Sequence, residues 1–353
     1  MKRSAKYVAF DVHQATTVAS VREPSGRVID RRVLPTEASA LSEYICGMRG
    51  AVHVVFEEGT QAQWLHEVLL PLADRVVVCD RRGEHRHNKN DRHDADELSK
   101  RLLTGDVRGV YHGNSSRRAL QELTRTYLNL TQDATRVMLR LKAIFRARAI
   151  RTPGESLYSP KRRAEWLARL TDEGARFRAR ALYVQLDMLR QLRPEAKAAM
   201  VAEARRDPSW RVLRTIPYFG PVRVAVLLAT MKTPWRFRTK RNLWAYAGLA
   251  VVTHSTADHE IIAGRAVRRR RAPLTRGLNQ NHNRILKHTF KSAAVAALTR
   301  PGEMRDLYLG MIARGMRPDM ARVTLARKFA AVTLRVWKTG EPYDSTKLTA
   351  AAQ

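Results

Sequence analysis

Asp91-Arg92-His93-Asp94-Ala95-Asp96 sets two carboxylates, Asp91 and Asp94, three residues apart. Glu97, Leu98, Lys100, Arg101 and Leu102 follow, a composition that predicts a helix opening at the aspartates. On a helix, positions i and i+3 share a face, so both carboxylates can point at one spot. Like charges that close need a counter-charge, and a divalent cation is the commonest. The local alternative is that one aspartate caps the helix and the others form a solvated first turn. Acids further upstream bear on that choice.

Tyr7-Val8-Ala9-Phe10-Asp11-Val12 reads as a buried strand, nearly all apolar and rich in β-formers. Asp11 is its anomaly, because a buried lone carboxylate must be paired, metal-bound or at the strand's edge. Residues 17–22 and 28–33 alternate in strand fashion around the turn Glu23-Pro24-Ser25-Gly26, which predicts a hairpin. A helix over 38–48 precedes a fourth strand, His53-Val54-Val55-Phe56, which ends at Glu57-Glu58-Gly59. Trp64, Leu65, Val68 and Leu69 fall at helical spacing, and Arg75-Val76-Val77-Val78-Cys79 is a short fifth strand. A strand meander followed by helix-strand-helix-strand-helix resembles the α/β ribonuclease-H fold. Nuclease sites of that fold carry an acid on the first strand, another after the fourth and more on a late helix. Asp11, Glu57, Asp91 and Asp94 occupy those places, and together they would hold two Mg²⁺ ions for phosphoryl transfer. The doublet leaves Glu58 open as a substitute for Glu57, and Asp96 is open as a further ligand.

Lys and Arg number 65 against 33 Asp and Glu, a net charge of +32 over 353 residues. Such a surplus repels itself unless a polyanion neutralises it, which points to nucleic acid held through its phosphates. The longest apolar runs are too short to span a bilayer, and no segment joins a basic face to a strongly apolar one, so no membrane partner is expected. Cys46 and Cys79 are the only cysteines, which excludes a disulfide framework and a thiolate zinc site. Met1-Lys2-Arg3-Ser4-Ala5-Lys6 runs straight into the first strand without a signal-peptide pattern, and the expected location is cytoplasmic. The length allows two or three domains.

Beyond the first hundred residues, Leu120, Leu123, Tyr127, Leu130, Ala134, Val137, Leu141 and Ile144 alternate three and four apart, a heptad seam. Arg136, Arg140, Lys142 and Arg146 lie between them as phosphate-gripping candidates. After Thr152-Pro153-Gly154 a second helical stretch runs from about 160 to 206, with Leu167, Leu170, Phe177, Val184, Met188 and Leu192 as its apolar positions. The pair predicts an antiparallel or swapped coiled coil that dimerises and binds nucleic acid. Ile216-Pro217-Tyr218-Phe219-Gly220-Pro221 is similar to a helix-hairpin-helix turn with Tyr218 in place of one glycine; an ordinary helix-helix turn is the alternative. Thr253-His254-Ser255-Thr256-Ala257-Asp258 then reads as a loop. Arg265, Arg268, Arg269, Arg270, Arg271 and Arg276 form a phosphate-facing block, and an apolar-stripe helix spans 320–337.

Phe10-Asp11-Val12, Phe56-Glu57-Glu58-Gly59, Asn88 to Ala95, the 216–221 turn and Ala245-Tyr246-Ala247-Gly248-Leu249 together resemble bacterial transposases of insertion-sequence family 110, also called bridge recombinases. The resemblance implies a RuvC-like DEDD domain over 1–112, a helical coiled-coil domain over 113–208 and a mainly α C-terminal transposase domain over 209–353. It further implies Mg²⁺ bound by Asp11, Glu57, Asp91 and Asp94, a serine nucleophile forming a phosphoserine link to DNA, and an element-encoded guide RNA. Donor and target DNA, and a homo-oligomer built as a dimer or tetramer, complete the expected partners. Counting from Gly248 puts Thr256 at the nucleophile position, with Ser255 one residue earlier; the less hindered primary hydroxyl favours Ser255, and Thr256 is the alternative. Two other activities fit the residues: a hydrolytic nuclease of the Holliday-junction-resolvase type, and a catalytically dead, basic nucleic-acid-binding protein.

Overall fold

The computed structural model describes residues 5–80, 91–112, 117–254, 259–262, 265–268 and 274–346. It divides into two compact units, Met1–Ser115 and Ser116–Gln353.

In the first unit, β1 (Ala5–Val12), β2 (Thr16–Arg22) and β3 (Val28–Pro35) form an antiparallel meander. The turn between β2 and β3 is closed by Gly26, whose φ of 91° suits a residue without Cβ. Next come α1 (Ala38–Cys46), β4 (Ala51–Glu57), α2 (Ala62–Leu69), β5 (Arg75–Cys79) and α3 (Asp91–Thr104). The sheet order is β3-β2-β1-β4-β5, with β4 parallel to both β1 and β5. Strand side chains alternate between faces. Val8, Phe10, Val54 and Phe56 therefore pack with Leu41, Ile45, Leu65 and Leu69 of α1 and α2. Ala9, Val55, Val77 and Cys79 take the opposite face, against Leu98 and Leu102 of α3. Cover on both sides explains why the middle of β1, residues 7–10, reads as an apolar run rather than an alternation. This mixed sheet with helices on both faces is the arrangement expected of a ribonuclease-H-like domain.

The second unit opens with α4 (Arg118–Arg146), α5 (Arg163–Ala168) and α6 (Glu173–Arg205). Leu120 clusters with Met200, Val201 and Ala204, whereas Ile144 and Phe145 cluster with Trp166, Ala175 and Ala179, so α4 and α6 run antiparallel. The single helical stretch expected over 160–206 is interrupted. After α5 the chain turns, and the Asp172 carboxylate accepts a 2.8 Å hydrogen bond from the Gly174 N–H to cap α6. Leu120, Ala134, Val137, Leu141 and Ile144 of the heptad seam are buried within the chain itself. Phe177 and Val184 are instead 69% and 67% exposed, and Met188 and Leu192 share their outward face.

Then follow α7 (Trp210–Leu213), α8 (Pro221–Met231) and α9 (Lys240–Tyr246), and four short strands: β6 (Val251–His254), β7 (His259–Ile262), β8 (Arg265–Arg268) and β9 (Leu274–Leu278). Antiparallel β6/β9 and β7/β8 pairs take in Thr253 and His254 of the expected loop and Arg265, Arg268 and Arg276 of the arginine block, while residues 255–258 and 269–271 lie outside the described residues. The sequence of these strands lacks an apolar alternation, which is why no strand was legible there. Finally, α10 (Arg284–Ala297), α11 (Glu303–Ala313) and α12 (Pro318–Thr339) close the unit, with Phe290, Ala293, Phe329 and Ala330 packing against Val224 and Leu228 of α8. The apolar stripe over 320–337 is thus core, as its spacing predicts. Among the described residues, no helix is long and apolar enough to cross a membrane.

Candidate functional site

The register of β1 on β4 pairs Phe10 with Phe56. One step further along each strand stand Asp11 and Glu57. Alternation puts both carboxylates on the face of Ala9 and Val55, the face covered by α3. They line one cleft of about 160 Å³ together with His13, Glu58 and Thr60. The α3 helix begins at Asp91 and carries an exposed Asp94 in its first turn, while Leu98 and Leu102 fix it to the sheet. Asp11, Glu57 and Asp94 thus share a sheet face and the helix laid over it; the side chain of Asp91 lies outside the described residues. Among the described residues, no three acidic, histidine or cysteine side chains gather closely enough to enclose a metal ion. The candidate ligands Asp11, Glu57, Asp91 and Asp94 are all carboxylates, and such a set suits a hard divalent cation such as Mg²⁺.

Histidines flank this cleft, and the sequence reading did not single them out. His13 Nε2 stands 3.3 Å from Asp11 Oδ2. His13 comes directly after the end of β1, two residues beyond Asp11, and that closeness in sequence was the available signal. His112, its side chain only 7% exposed, holds Glu58 Oε2 at 2.6 Å through Nε2 and Gln63 Oε1 at 3.0 Å through Nδ1. Glu58 is therefore engaged on His112, while Glu57 stays on the face of Asp11. Burial, and next the charge of Glu57, push the thiol of its strand neighbour Cys79 up to about 11, so that sulfur stays protonated at neutral pH.

Asp96, open as a ligand from sequence, is committed elsewhere. Its Oδ1 accepts a 2.6 Å hydrogen bond from Ser20, and Arg31 donates to its two oxygens at 2.8–3.0 Å. Burial alone would raise this carboxyl's pKa; hydrogen bonds from Arg31 and Ser20, with the Arg31 and Arg22 charges, outweigh it and hold the group below its ordinary range. Asp96 braces α3 against β2 and β3.

Of the basic candidates, Arg136, Arg140 and Arg146 are exposed on α4 and Lys142 is half-buried. Arg136 is paired with Asp133 at 2.8 Å. Arg265 is exposed on β8; Arg268 and Arg276 lie in β8 and β9 with side chains outside the described residues, and Arg269, Arg270 and Arg271 lie outside them altogether. Both nucleophile candidates, Ser255 and Thr256, also fall outside, between β6 and β7. What precedes them is well defined. Gly248 has φ of 64°, and a Cβ there would come within 2.4 Å of the His282 ring. Asn279 Nδ2 donates to Ala245 O at 3.1 Å and Asn283 N to Tyr246 O at 2.8 Å, so the Ala245–Leu249 motif is a knot at the root of β6. In the turn before α8, Tyr218 adopts φ of 65° in the place of a glycine, with Arg223 Nη1 donating to its carbonyl at 2.6 Å.

Two family profiles match this chain. One, described as a transposase of the IS110 DEDD type, covers residues 8–147 and so contains Asp11, Glu57, Asp91 and Asp94. The other, described as the transposase IS116/IS110/IS902 family, covers residues 210–309 and contains the 216–221 turn, Gly248, Ser255 and Thr256. Among curated proteins, the insertion element IS110 uncharacterized 43.6 kDa protein of Streptomyces coelicolor is 28% identical over 165 residues, 47% of this chain and 38% of that protein. The insertion element IS116 uncharacterized 44.8 kDa protein of Streptomyces clavuligerus is 29% identical over 124 residues, 35% of this chain and 28% of its own length. The matched region thus spans well under half the length of either relative.

Proposed function

The chain belongs to the IS110 family of transposases, and from that premise we propose that it cuts and rejoins DNA strands as the recombinase of an insertion sequence. The observation that carries this reading is the placement of Asp11 and Glu57 on one sheet face, under a helix that begins with Asp91 and Asp94. In this reading those four carboxylates hold divalent cations, Mg²⁺ in the cell and two in number. Bound there, the ions stabilise the attacking and leaving oxygens of a phosphoryl transfer. The Ser255 hydroxyl, or that of Thr256, attacks a DNA phosphodiester. A P–O bond forms to the side-chain oxygen, the P–O bond to the adjoining nucleotide breaks, and that nucleotide leaves as a free hydroxyl with the proton. A strand hydroxyl later reverses the exchange on the rejoined DNA. His13 keeps Asp11 oriented, and His112 keeps Glu58 out of the ligand set.

The +32 charge supports phosphate-dominated binding of donor and target DNA, and the family resemblance supports a guide RNA that selects them. The outward stripe Phe177, Val184, Met188 and Leu192 is the surface on which a second copy of the chain packs.

Incubating the protein with its RNA, labelled DNA and Mg²⁺ should trap a protein–DNA adduct that is lost in Ser255→Ala/Thr256→Ala. Cleavage that persists in the double variant, with free ends and no adduct, would instead identify a hydrolytic nuclease.

A further inference from the structure

Away from the carboxylates, the second unit holds a cavity of about 460 Å³ between α9, α12 and the segment Glu341–Asp344. Thr324, Lys328, Ala331 and Arg335 recur three or four apart, so one face of α12 forms its wall. Trp244, Val332 and Tyr343 contribute apolar and aromatic surface to the lining. Trp244 is fixed in place, because its Nε1 donates to Arg327 O at 2.9 Å. The cations Lys240, Lys328 and Arg335 also line the cavity. Lys240 Nζ lies 5.9 Å from the Trp244 ring centroid, and Lys328 and Arg335 follow along α12. Burial, and next the charge of Lys240, lower the pKa of Lys328, as expected of two ammonium groups that share a cavity. Arg327 Nη2 is buried without a hydrogen-bond partner among the described residues. Glu341 and Asp344 stand on the wall formed by the last segment.

We propose that this cavity takes one unstacked nucleotide of a single-stranded nucleic acid, its base against Trp244 and Val332 and its phosphate on Lys240, Lys328 and Arg335. Aromatic and apolar lining beside these cations matches a flat ring joined to an anion. The volume lies in the range of small-molecule pockets, roughly 300–1,000 Å³. A base stacked inside a duplex cannot enter, so the ligand is a strand already opened, whose bases stack on protein aromatics. The proposal rests on the nucleic-acid reading above and adds to it a site that separates open strands from duplex.

The test measures affinity of the full-length protein for a labelled single strand, the same strand with abasic positions, and a blunt duplex. Intact protein should prefer the intact strand over the abasic one by about tenfold. Ala331→Trp, which fills the cavity, should erase that preference and leave duplex affinity unchanged; Val332→Phe repeats the test should the first variant fail to fold. Lys240→Gln/Lys328→Gln should weaken the intact strand more than the duplex. A wild type indifferent to missing bases, a preference that survives filling, or poly-glutamate displacing the strand as well as a second strand does would each overturn the proposal. Failure of the wild type to bind strand or duplex would remove the nucleic-acid reading, and this site with it.

Discussion

Asp96 and Asp11 are both aspartates of the first unit, and the sequence could rank only one. Asp11 interrupts an apolar strand, and that conflict with burial marks it without any structure. Asp96 sits two residues beyond Asp94 and was left open as a ligand, although it points off the face that Asp91 and Asp94 share. Its partners Ser20 and Arg31 are 76 and 65 residues away, so no local pattern announces the brace. Asp96→Asn should destabilise the protein by about 1–2 kcal/mol near neutral pH, the scale of a charge-assisted hydrogen-bond pair. The carboxyl's pKa is lowered on folding, so its contribution is full above the unfolded value, about 3.9, and is lost as pH falls through the folded one. Denaturant titrations of both proteins should therefore differ most at pH 7 and converge below about pH 4. A gap that stays constant with pH would remove the ionic part of this account.

Elements were legible in proportion to their periodicity. The order β1-β2-β3-α1-β4-α2-β5-α3 follows directly from alternating and helical patterns in the first hundred residues. Asp91–Thr104 is helical, as the composition after the acidic turn predicts. The α4 seam was equally plain, yet periodicity cannot say what a stripe packs against. Most of the α4 stripe is consumed by α6 of the same chain, while Phe177, Val184, Met188 and Leu192 point outward. A stripe this apolar should associate. Phe177→Glu/Val184→Glu should shift the sedimenting species from an oligomer to a monomer while leaving the thermal midpoint within a few degrees, because neither side chain is in the core. A wild type that sediments as a monomer at micromolar concentration would contradict the assignment. The strands β6 to β9 escaped notice for the opposite reason: four- and five-residue segments paired in twos leave no apolar alternation to read.

At the scale of the whole molecule, charge speaks before any fold does. With 65 basic residues against 33 acidic ones, binding to DNA or RNA should weaken steeply with salt. If six or more phosphates are engaged, raising salt from about 50 to about 200 mM should cost on the order of a thousandfold in affinity. A weak salt dependence would show that the charge serves another purpose.

The central claim is that acids from β1, β4 and α3 grip a divalent cation. Titrating Mn²⁺ into the full-length protein, with free ion followed by electron paramagnetic resonance, tests this without requiring DNA, RNA or catalysis. Asp11→Asn and Glu57→Gln should each weaken binding by about tenfold or more, the lower end being what even supporting residues of a metal site cost. Asp96→Asn, whose carboxylate is held by Arg31, should bind as the wild type does. Equal Mn²⁺ affinity across all four proteins would contradict the account.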